Sequence, residues 1–279
     1  MLPDRDMNPS SEDAPLRDVV VAGQLLCSLE TAALHLARQE YPDLNVGHCI
    51  AKLDEIAARV RPLLSDAPDP PEILGMLNDV IFRDLEFRGN HEDYYSPRNS
   101  FLNDVIELRL GIPITLATVY MAVARRVGLD LQGTAFPGHF LVRHTRSGWP
   151  ILVDCFNGGR IMTEEECLAR LHAMGWATWD PRFVEPVPAE AILRRMLNNL
   201  KAIYLERHDW ERLRRTVLQI LVVAPDDHDE RYTLGLALAG LGRLSAAVAE
   251  LERFLAQRPG APNRGAVESM VRALRDRLG

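Results

Sequence analysis

Two residues between Tyr94 and Gly159 have the side chains and the setting for acyl-transfer chemistry. His139 lies in an apolar segment at residues 136–143, and Asp154 lies in a second apolar segment at residues 150–156. A carboxylate that orients an imidazole makes it a general base for a cysteine or serine nucleophile. A helix followed by one strand with the histidine and another with the aspartate is the layout of a Cys/His/Asp hydrolase or acyltransferase.

The third member of such a triad, the nucleophile, is missing from its expected position. A catalytic thiol lies at a helix N-terminus, where the helix dipole and a nearby imidazole stabilise the thiolate. The corresponding helix begins at Pro113, and proline fits the first helical position because its missing N–H would have no partner there. Four residues remain as substitute nucleophiles: Cys155, Thr115, Cys27 and Cys49.

The spacing of a predicted hairpin places His139 opposite Asp154. The turn of this hairpin is centred between Arg146 and Ser147, and the two candidate residues are equally far from that centre. They should therefore face each other on one side of the sheet. Side chains alternate along a strand, so Cys155 is expected to point to the other side, away from His139.

Several polar residues lie near the predicted helix start and the aspartate. They are candidates for lining a binding cleft: Arg98, Asn99, Asn103, Thr115 and Asn157. The alternative is that the first three cap a helix and fix a loop. No metal site is expected, because His144 is an odd number of positions from His139 and should point the other way. No cofactor is expected either.

Helices and short strands must position these residues, and apolar periodicity gives their bounds. Helices are predicted at residues 17–40, 46–60, 72–87, 100–110, 113–127 and 163–174. Strands are predicted at residues 131–136, 139–145 and 150–156. The helix from Pro113 is apolar almost all round, which predicts burial on every side. Asn99 or Ser100 should cap the helix before it, and Gly111 should end that helix.

Residues 188–279 are helical by periodicity and contain a repeat. Pro225 and Pro259 are 34 residues apart, which is the period of tetratricopeptide repeats. The second unit has small and bulky residues at the expected offsets: Leu234, Gly235, Leu238, Ala247 and Leu251. The first unit has matching residues at Leu200, Tyr204, Leu213 and Val217. Lys201 replaces the glycine of that unit.

Composition limits the class of protein. The 279 residues are 47% hydrophobic and 25% charged, with a net charge of −7 and an isoelectric point of about 5.7. This balance argues against nucleic acid or an anionic membrane as the main partner, since both require a basic surface. Four cysteines without close spacing fit a reducing compartment. A cytoplasmic protein without a signal peptide, and with a disordered tail over residues 1–15, is therefore expected.

Five segments together resemble the SirB-type family of bacterial proteins. They are Tyr95-x-Pro97-Arg98-Asn99-Ser100-x-Leu102-Asn103, Gly111-Ile112-Pro113-Ile114-Thr115-Leu116, Pro137-Gly138-His139-Phe140-Leu141, Asp154-x-Phe156-Asn157-Gly158-Gly159 and Arg195-Met196-Leu197-x-Asn199-Leu200-Lys201. The resemblance implies an α+β transglutaminase-like core of the papain-like cysteine protease superfamily over residues 16–187. In such a core a small antiparallel sheet packs on a buried central helix. An all-α region of tetratricopeptide-like repeats over residues 188–279 is implied to follow.

Compared with active transglutaminases, His139 and Asp154 match the triad histidine and aspartate, and the cysteine position falls at Pro113 or within one residue of it. Cys155 departs from the SirB-type pattern, which has proline there.

Three functions remain open. The first is a pseudoenzyme that binds a protein or peptide, with the repeats as a second contact surface and His139 and Asp154 as a buried structural pair. The second is an active amidase, protease or acyltransferase with a substitute nucleophile, and the third is a scaffold without a pocket.

The missing thiol favours the first function, so the chain is expected to lack catalysis. The sequence specifies neither the partner nor the oligomeric state.

Overall fold

The computed structural model of the chain describes residues 14–145 and 148–278. The architecture is α+β, which confirms the predicted fold class. Its α-helices are α1 (Leu29–Ala37), α2 (Val46–Val60), α3 (Pro70–Asn78), α4 (Leu102–Leu108), α5 (Pro113–Arg126), α6 (Glu164–Ala173), α7 (Ala189–Glu206), α8 (Trp210–Val223), α9 (Asp229–Gly240), α10 (Leu244–Gln257) and α11 (Arg264–Asp276). Its strands are β1 (Val20–Val21), β2 (Gln24–Leu25), β3 (Arg88–Gly89), β4 (Leu110–Gly111), β5 (Gln132–Thr134), β6 (Leu141–His144), β7 (Ile151–Asp154) and β8 (Arg160–Met162). Of the helices described, none has the length and apolar character needed to cross a bilayer.

The described residues form two compact units. The core unit contains residues Ser28–Ala37 and Leu44–Ile192. The repeat unit contains the described residues before Ser28, residues Arg38–Asp43 and those from Leu193 onward. The N-terminal segment therefore folds with the C-terminal helices, because β1 and the short 3-10 helix before it pack on α8.

Helix α5 is the centre of the core unit. Residues 113–120 are all buried, as the all-round apolar sequence predicts. Helices α1 to α4 and strand β6 pack around it. Tyr120 is fully buried, and its hydroxyl donates a hydrogen bond to Asn78 Oδ1 at 2.9 Å. The one polar atom of this large side chain is thus paired, as burial of a tyrosine requires.

The main sheet has the strand order β5-β6-β7-β8, and all neighbouring strands are antiparallel. The predicted hairpin register is wrong. Val142 pairs with Val153 and His144 with Ile151. A symmetric turn centred between residues 146 and 147 would pair them with residues 151 and 149, so each observed partner lies two residues later in the chain. Pro150 has no N–H for the ladder, so β7 begins only after it and the connection is longer. The predicted turn centre, residues 146–147, lies outside the described residues.

The first predicted helix is wrong over its first half. Residues 17–40 fold as the end of a 3-10 helix, the β1–β2 hairpin and α1, which begins only at Leu29. Ala22 and Gly23 have φ angles of +50° and +79°, a left-handed turn that a right-handed helix cannot contain. Of the predicted tail, residues 1–13 lie outside the described residues, whereas Ala14 and Pro15 are buried.

Helix α4 differs from its prediction at both ends. Asn99 and Ser100 do not cap it, because both belong to the 3-10 turn Pro97–Ser100 that precedes it. Arg109 ends the helix with a left-handed φ of +58°. Gly111 instead pairs with Gly89 in the two-residue parallel ladder of β3 and β4. Ladders this short leave no periodic pattern in the sequence.

The repeat unit contains successive helices that pack on one another, α8 on α9, α9 on α10 and α10 on α11. The apolar residues predicted at repeat positions are buried: Leu200, Tyr204, Leu213, Val217, Leu234, Leu238, Ala247 and Leu251. Gly235 permits the close approach of α9 and α10, since a Cβ there would lie 2.6 Å from the Leu251 side chain. Lys201, which replaces the equivalent glycine, forms an ion pair with the buried Glu230.

Candidate functional site

His139 and Asp154 form the centre of the candidate site. The Nε2 atom of His139 lies 2.8 Å from Oδ1 of Asp154. His139 is 4% exposed and Asp154 is 1% exposed. The two residues that the sequence pairs do lie together, and they are closed off from solvent.

A turn, rather than the sheet register, brings the imidazole to the carboxylate. His139 precedes β6 in a turn in which Gly138 has a φ of +65°. The N–H of His139 donates to the carbonyl of Phe136 at 2.9 Å. Asp154 is the last residue of β7. The contact therefore joins a turn to a strand end, and the predicted cross-strand pairing is not its cause.

The carboxylate of Asp154 is held by the two residues that begin the next turn. Its Oδ1 accepts the N–H groups of Phe156 at 3.1 Å and Asn157 at 3.2 Å, and its Oδ2 accepts Asn157 Nδ2 at 2.8 Å. Burial opposes the charge, but hydrogen bonds from His139 and Asn157 outweigh it and lower the pKa of Asp154 below its ordinary value. Asn157, a candidate cleft residue, thus binds the carboxylate.

Gly158 and Gly159 complete the turn that holds Asp154. Both have left-handed φ angles, +72° and +76°. The carbonyl of Gly159 accepts a hydrogen bond from Asn78 Nδ2 at 2.9 Å, and Asn78 also accepts the Tyr120 hydroxyl. Asn78 therefore ties the turn to α5. Sequence reasoning missed Asn78, although a polar residue beside the buried apolar residues of an amphipathic helix is a signal of such a role.

Replacing Gly159 by alanine is expected to lower the free energy of unfolding by about 3 kcal/mol, because the left-handed backbone and overpacking add their costs. A Cβ at this position would overlap the Asn78 side chain and lie 2.7 Å from the Phe82 ring. Gly158→Ala is the matched control, since a Cβ there has no atom within 4 Å. Its expected loss is about 1 kcal/mol. Urea unfolding measures both variants, and equal losses would contradict the packing described for Gly159.

The start of α5 has proline and threonine among its first three residues, and neither cysteine nor serine. Pro113 is its first residue and is buried. Thr115 is fully buried, and its Oγ1 donates to the carbonyl of Asn99 at 2.7 Å and accepts the N–H of Ile112 at 3.2 Å. Its hydroxyl therefore fixes the helix start to the preceding loop.

Asn99 holds the loop before α4. Its Nδ2 donates to the carbonyls of Asp93 at 2.7 Å and Tyr94 at 3.0 Å, and its Oδ1 accepts Asn90 Nδ2 at 3.0 Å. The side chain is 3% exposed. The hydrogen bonds of its side chain therefore serve the loop, which matches the loop-fixing alternative for this residue.

Arg98 and Asn103 lie elsewhere on the same segment. The guanidinium of Arg98 is exposed and lies 3.2 Å from the buried carboxylate of Asp104. Asn103 is half-buried on α4, and among the described residues its Oδ1 has no hydrogen-bond partner.

Three of the thiols are buried, and burial raises the pKa of each of them. Cys155 is completely buried, and burial raises its pKa well above the ordinary value. Burial likewise raises the pKa of Cys49, and that of Cys167 to about 11. Cys155 begins a 3-10 helix instead of continuing β7, so the predicted alternation does not set its direction. Cys27 is half-exposed and belongs to the repeat unit.

The ring of Phe156 packs against the ring of His139 and against two further aromatic rings. Its centroid lies 6.2 Å from that of His139, 4.5 Å from His91 and 5.9 Å from Tyr94. Gly89 makes room for it, because a Cβ there would lie 2.5 Å from the Phe156 ring. Sequence reasoning missed this aromatic cluster, since its residues come from two loops without periodicity.

Across the described residues, no group of three or more His, Cys, Asp or Glu side chains is placed to hold a metal ion.

Comparison with known proteins extends these observations. Residues 47–198 match the family model of the transglutaminase-like superfamily, and residues 200–272 match that of the tetratricopeptide repeat. No solved structure matches the chain significantly.

Curated relatives come from bacteria and from animals. A UPF0162 protein of Xylella fastidiosa is 38% identical over 240 residues, which cover 84% of this chain and 85% of that protein. A UPF0162 protein of Vibrio cholerae is 28% identical over 198 residues, 70% of this chain and 73% of its own. F-box only protein 21 of Mus musculus is 31% identical over 142 residues, 47% of this chain and 22% of that protein. On this similarity and on the matched models, the chain belongs to the transglutaminase-like superfamily and, within it, to the UPF0162 proteins.

Proposed function

We propose that the chain is a non-catalytic transglutaminase-like module that binds a protein or peptide partner. The observation that carries this proposal is the start of α5, where a transglutaminase-like enzyme needs its thiol and this chain has the buried Pro113. Proline has neither a nucleophilic atom nor an N–H at that position. The His139–Asp154 pair is then a buried hydrogen-bonded link between a turn and a strand end.

The alternative, an enzyme with a substitute nucleophile, finds little support in the candidate residues. Thr115 donates its only hydroxyl proton to a backbone carbonyl. Cys155 and Cys49 are buried, and their raised pKa values keep them as thiols, whereas the thiolate is the nucleophile. The exposed fraction of His139 is 4%, so little of its ring is open to a substrate.

The repeats support a protein partner. Stacked helical repeats present extended surfaces that bind proteins, and residues 200–272 match this class. The match to F-box only protein 21 covers only 22% of that protein, as expected of a module that is joined to different neighbours. We infer further that the chain is of the SirB type, from the five segments quoted above, and that it is cytoplasmic, since all four cysteines are free thiols.

An assay for turnover tests the proposal. We expect the purified chain to hydrolyse no fluorogenic peptide amide and to transfer no acyl group from a thioester to an amine above the uncatalysed rate. His139→Ala, after a circular dichroism check of its fold, serves as the control and should give the same background. Turnover by the unmodified chain that His139→Ala abolishes would overturn the non-catalytic function and establish the alternative.

A further inference from the structure

A cavity in the core unit lies apart from the His139–Asp154 pair and has no assigned role. Its volume is about 480 Å³. One wall is formed by α3 and the opposite wall by β8 and the start of β7, with Leu74, Ile151 and Ile161 as apolar lining residues. A cavity of this size and lining is typical of a ligand site.

Gly75 keeps this cavity open. It lies inside α3 and lines the cavity, and a Cβ built on it would have no atom within 4 Å. Glycine inside a helix is destabilising relative to alanine. Neither a close backbone approach nor a left-handed φ explains it, since the residue has neither. The feature that it does provide is free space in the wall of the cavity.

The position of the cavity favours an extended peptide as its occupant. Strand β8 is at the edge of the main sheet, and Ile161 on it is 47% exposed. At the opposite edge, β5 is already covered by an extended segment of the chain, where Val187 N–H donates to the Gly133 carbonyl at 2.9 Å. Free sheet edges bind extended peptides through the backbone, and adjacent pockets select their side chains.

Charge defines the second feature of the peptide. Glu164 is the only ionisable residue that lines the cavity in the described part of the chain, and it is exposed. It begins the first turn of α6, which also contains Glu165 and Glu166, and Glu166 forms an ion pair with Arg160 of β8. A basic side chain of the peptide is complementary to the carboxylate of Glu164. Residues two apart in an extended peptide share one face, so the apolar and basic side chains should be separated by one residue.

We propose that the cavity between α3 and β8 binds an extended peptide that carries a large apolar residue and, two positions away, an arginine or lysine. This inference rests on the proposed binding function and names its partner class. The apolar side chain occupies the space beside Gly75, and the basic group faces Glu164.

The probe is the acetylated, amidated peptide Gly-Phe-Ser-Arg-Gly together with its reversed-order form Gly-Arg-Ser-Phe-Gly. Binding to the full chain is followed by NMR, through the indole N–H of Trp149, which lines the cavity. At least one of the two should give a saturable shift, and the same peptide with alanine for phenylalanine should give none. Gly75→Leu should weaken binding at least about tenfold, because its side chain fills the site. Gly75→Ala, the matched control, adds one methyl group and should retain binding within about threefold.

Glu164→Gln should weaken binding by up to about fivefold at low salt, which is the range of an exposed ion pair. Circular dichroism checks that each variant is folded. No saturable shift with either peptide, or equal affinity for Gly75→Leu and the unmodified chain, would overturn the proposal. Equally tight binding of toluene and propylguanidine would assign the cavity to a small molecule and also overturn it. Amide turnover by the unmodified chain would overturn the non-catalytic function without changing these titrations, so the two failures are distinguishable.

Discussion

Replacing Asp154 by alanine is expected to lower the free energy of unfolding by about 3–5 kcal/mol, because several buried hydrogen-bond donors lose their acceptor together. The carboxylate accepts hydrogen bonds from two backbone N–H groups and the side chain of Asn157, and His139 Nε2 lies 2.8 Å away. Alanine leaves these donors without an acceptor in a buried position, and each orphaned group adds to the loss. Urea unfolding of the variant and the unmodified chain at neutral pH measures the difference.

The pH dependence of the same loss gives a second readout, with Asp154→Asn as the uncharged control. The folded pKa of Asp154 is lowered below its ordinary value, which in the unfolded chain is about 3.9. The unfolded chain therefore binds the proton first as the pH falls. The stability that the carboxylate contributes is fully present above about pH 4 and is lost as the pH falls through the folded pKa.

The stability difference between the unmodified chain and Asp154→Asn should accordingly shrink below about pH 4. A difference that grows on acidification would contradict the lowered pKa. A loss for Asp154→Ala below about 1 kcal/mol at neutral pH would show that the pair does not hold the turn to the strand.

Alkylation of Cys155 by iodoacetamide in the native chain is expected to be at least about 10³-fold slower than in the urea-unfolded chain. The thiol is completely buried, and burial raises its pKa, so reaction requires opening of the core. Opening of a buried core costs a free energy close to that of global unfolding, about 5 kcal/mol or more. Peptide mass spectrometry after timed labelling measures each cysteine separately, and the half-exposed Cys27 should react first.

The labelling rate of Cys155 in the His139→Ala variant distinguishes the non-catalytic module from an enzyme with a substitute nucleophile. If Cys155 is an inert core residue, the variant destabilises the fold and leaves labelling unchanged or faster. If the imidazole activates Cys155, the unmodified chain labels rapidly at neutral pH and the variant labels more slowly. The second pattern would revive the substitute nucleophile and contradict the non-catalytic proposal.

Apolar patterning predicted the core of this fold well because it depends on local sequence. Helix α5 is apolar on every side, and only a buried position accommodates such a helix. Proline at its first position has a fixed φ and needs no hydrogen-bond partner, so the start of the helix could be placed at Pro113. The repeat positions from Leu200 to Leu251 followed from the 34-residue period in the same way.

Features that depend on contacts between distant residues escaped prediction. The β1–β2 hairpin interrupts a helical pattern because Ala22 and Gly23 adopt left-handed conformations. The β3–β4 ladder joins segments that are about twenty residues apart through two residues each, too few for a periodic signal.

The sequence by itself determined the members of the candidate site: an imidazole, a carboxylate, and a proline at the helix start where we propose that a related enzyme has its thiol. Their residue types and order along the chain are local facts, and an all-round apolar helix can only be buried. Only the tertiary structure decided how they meet, because hairpin register and turn conformation depend on the packing of segments far apart in the chain. The Gly138 turn brings His139 to Asp154 despite the shifted register. Hydrogen bonds from Asn78 and Asn157 then fix the turn that holds the carboxylate.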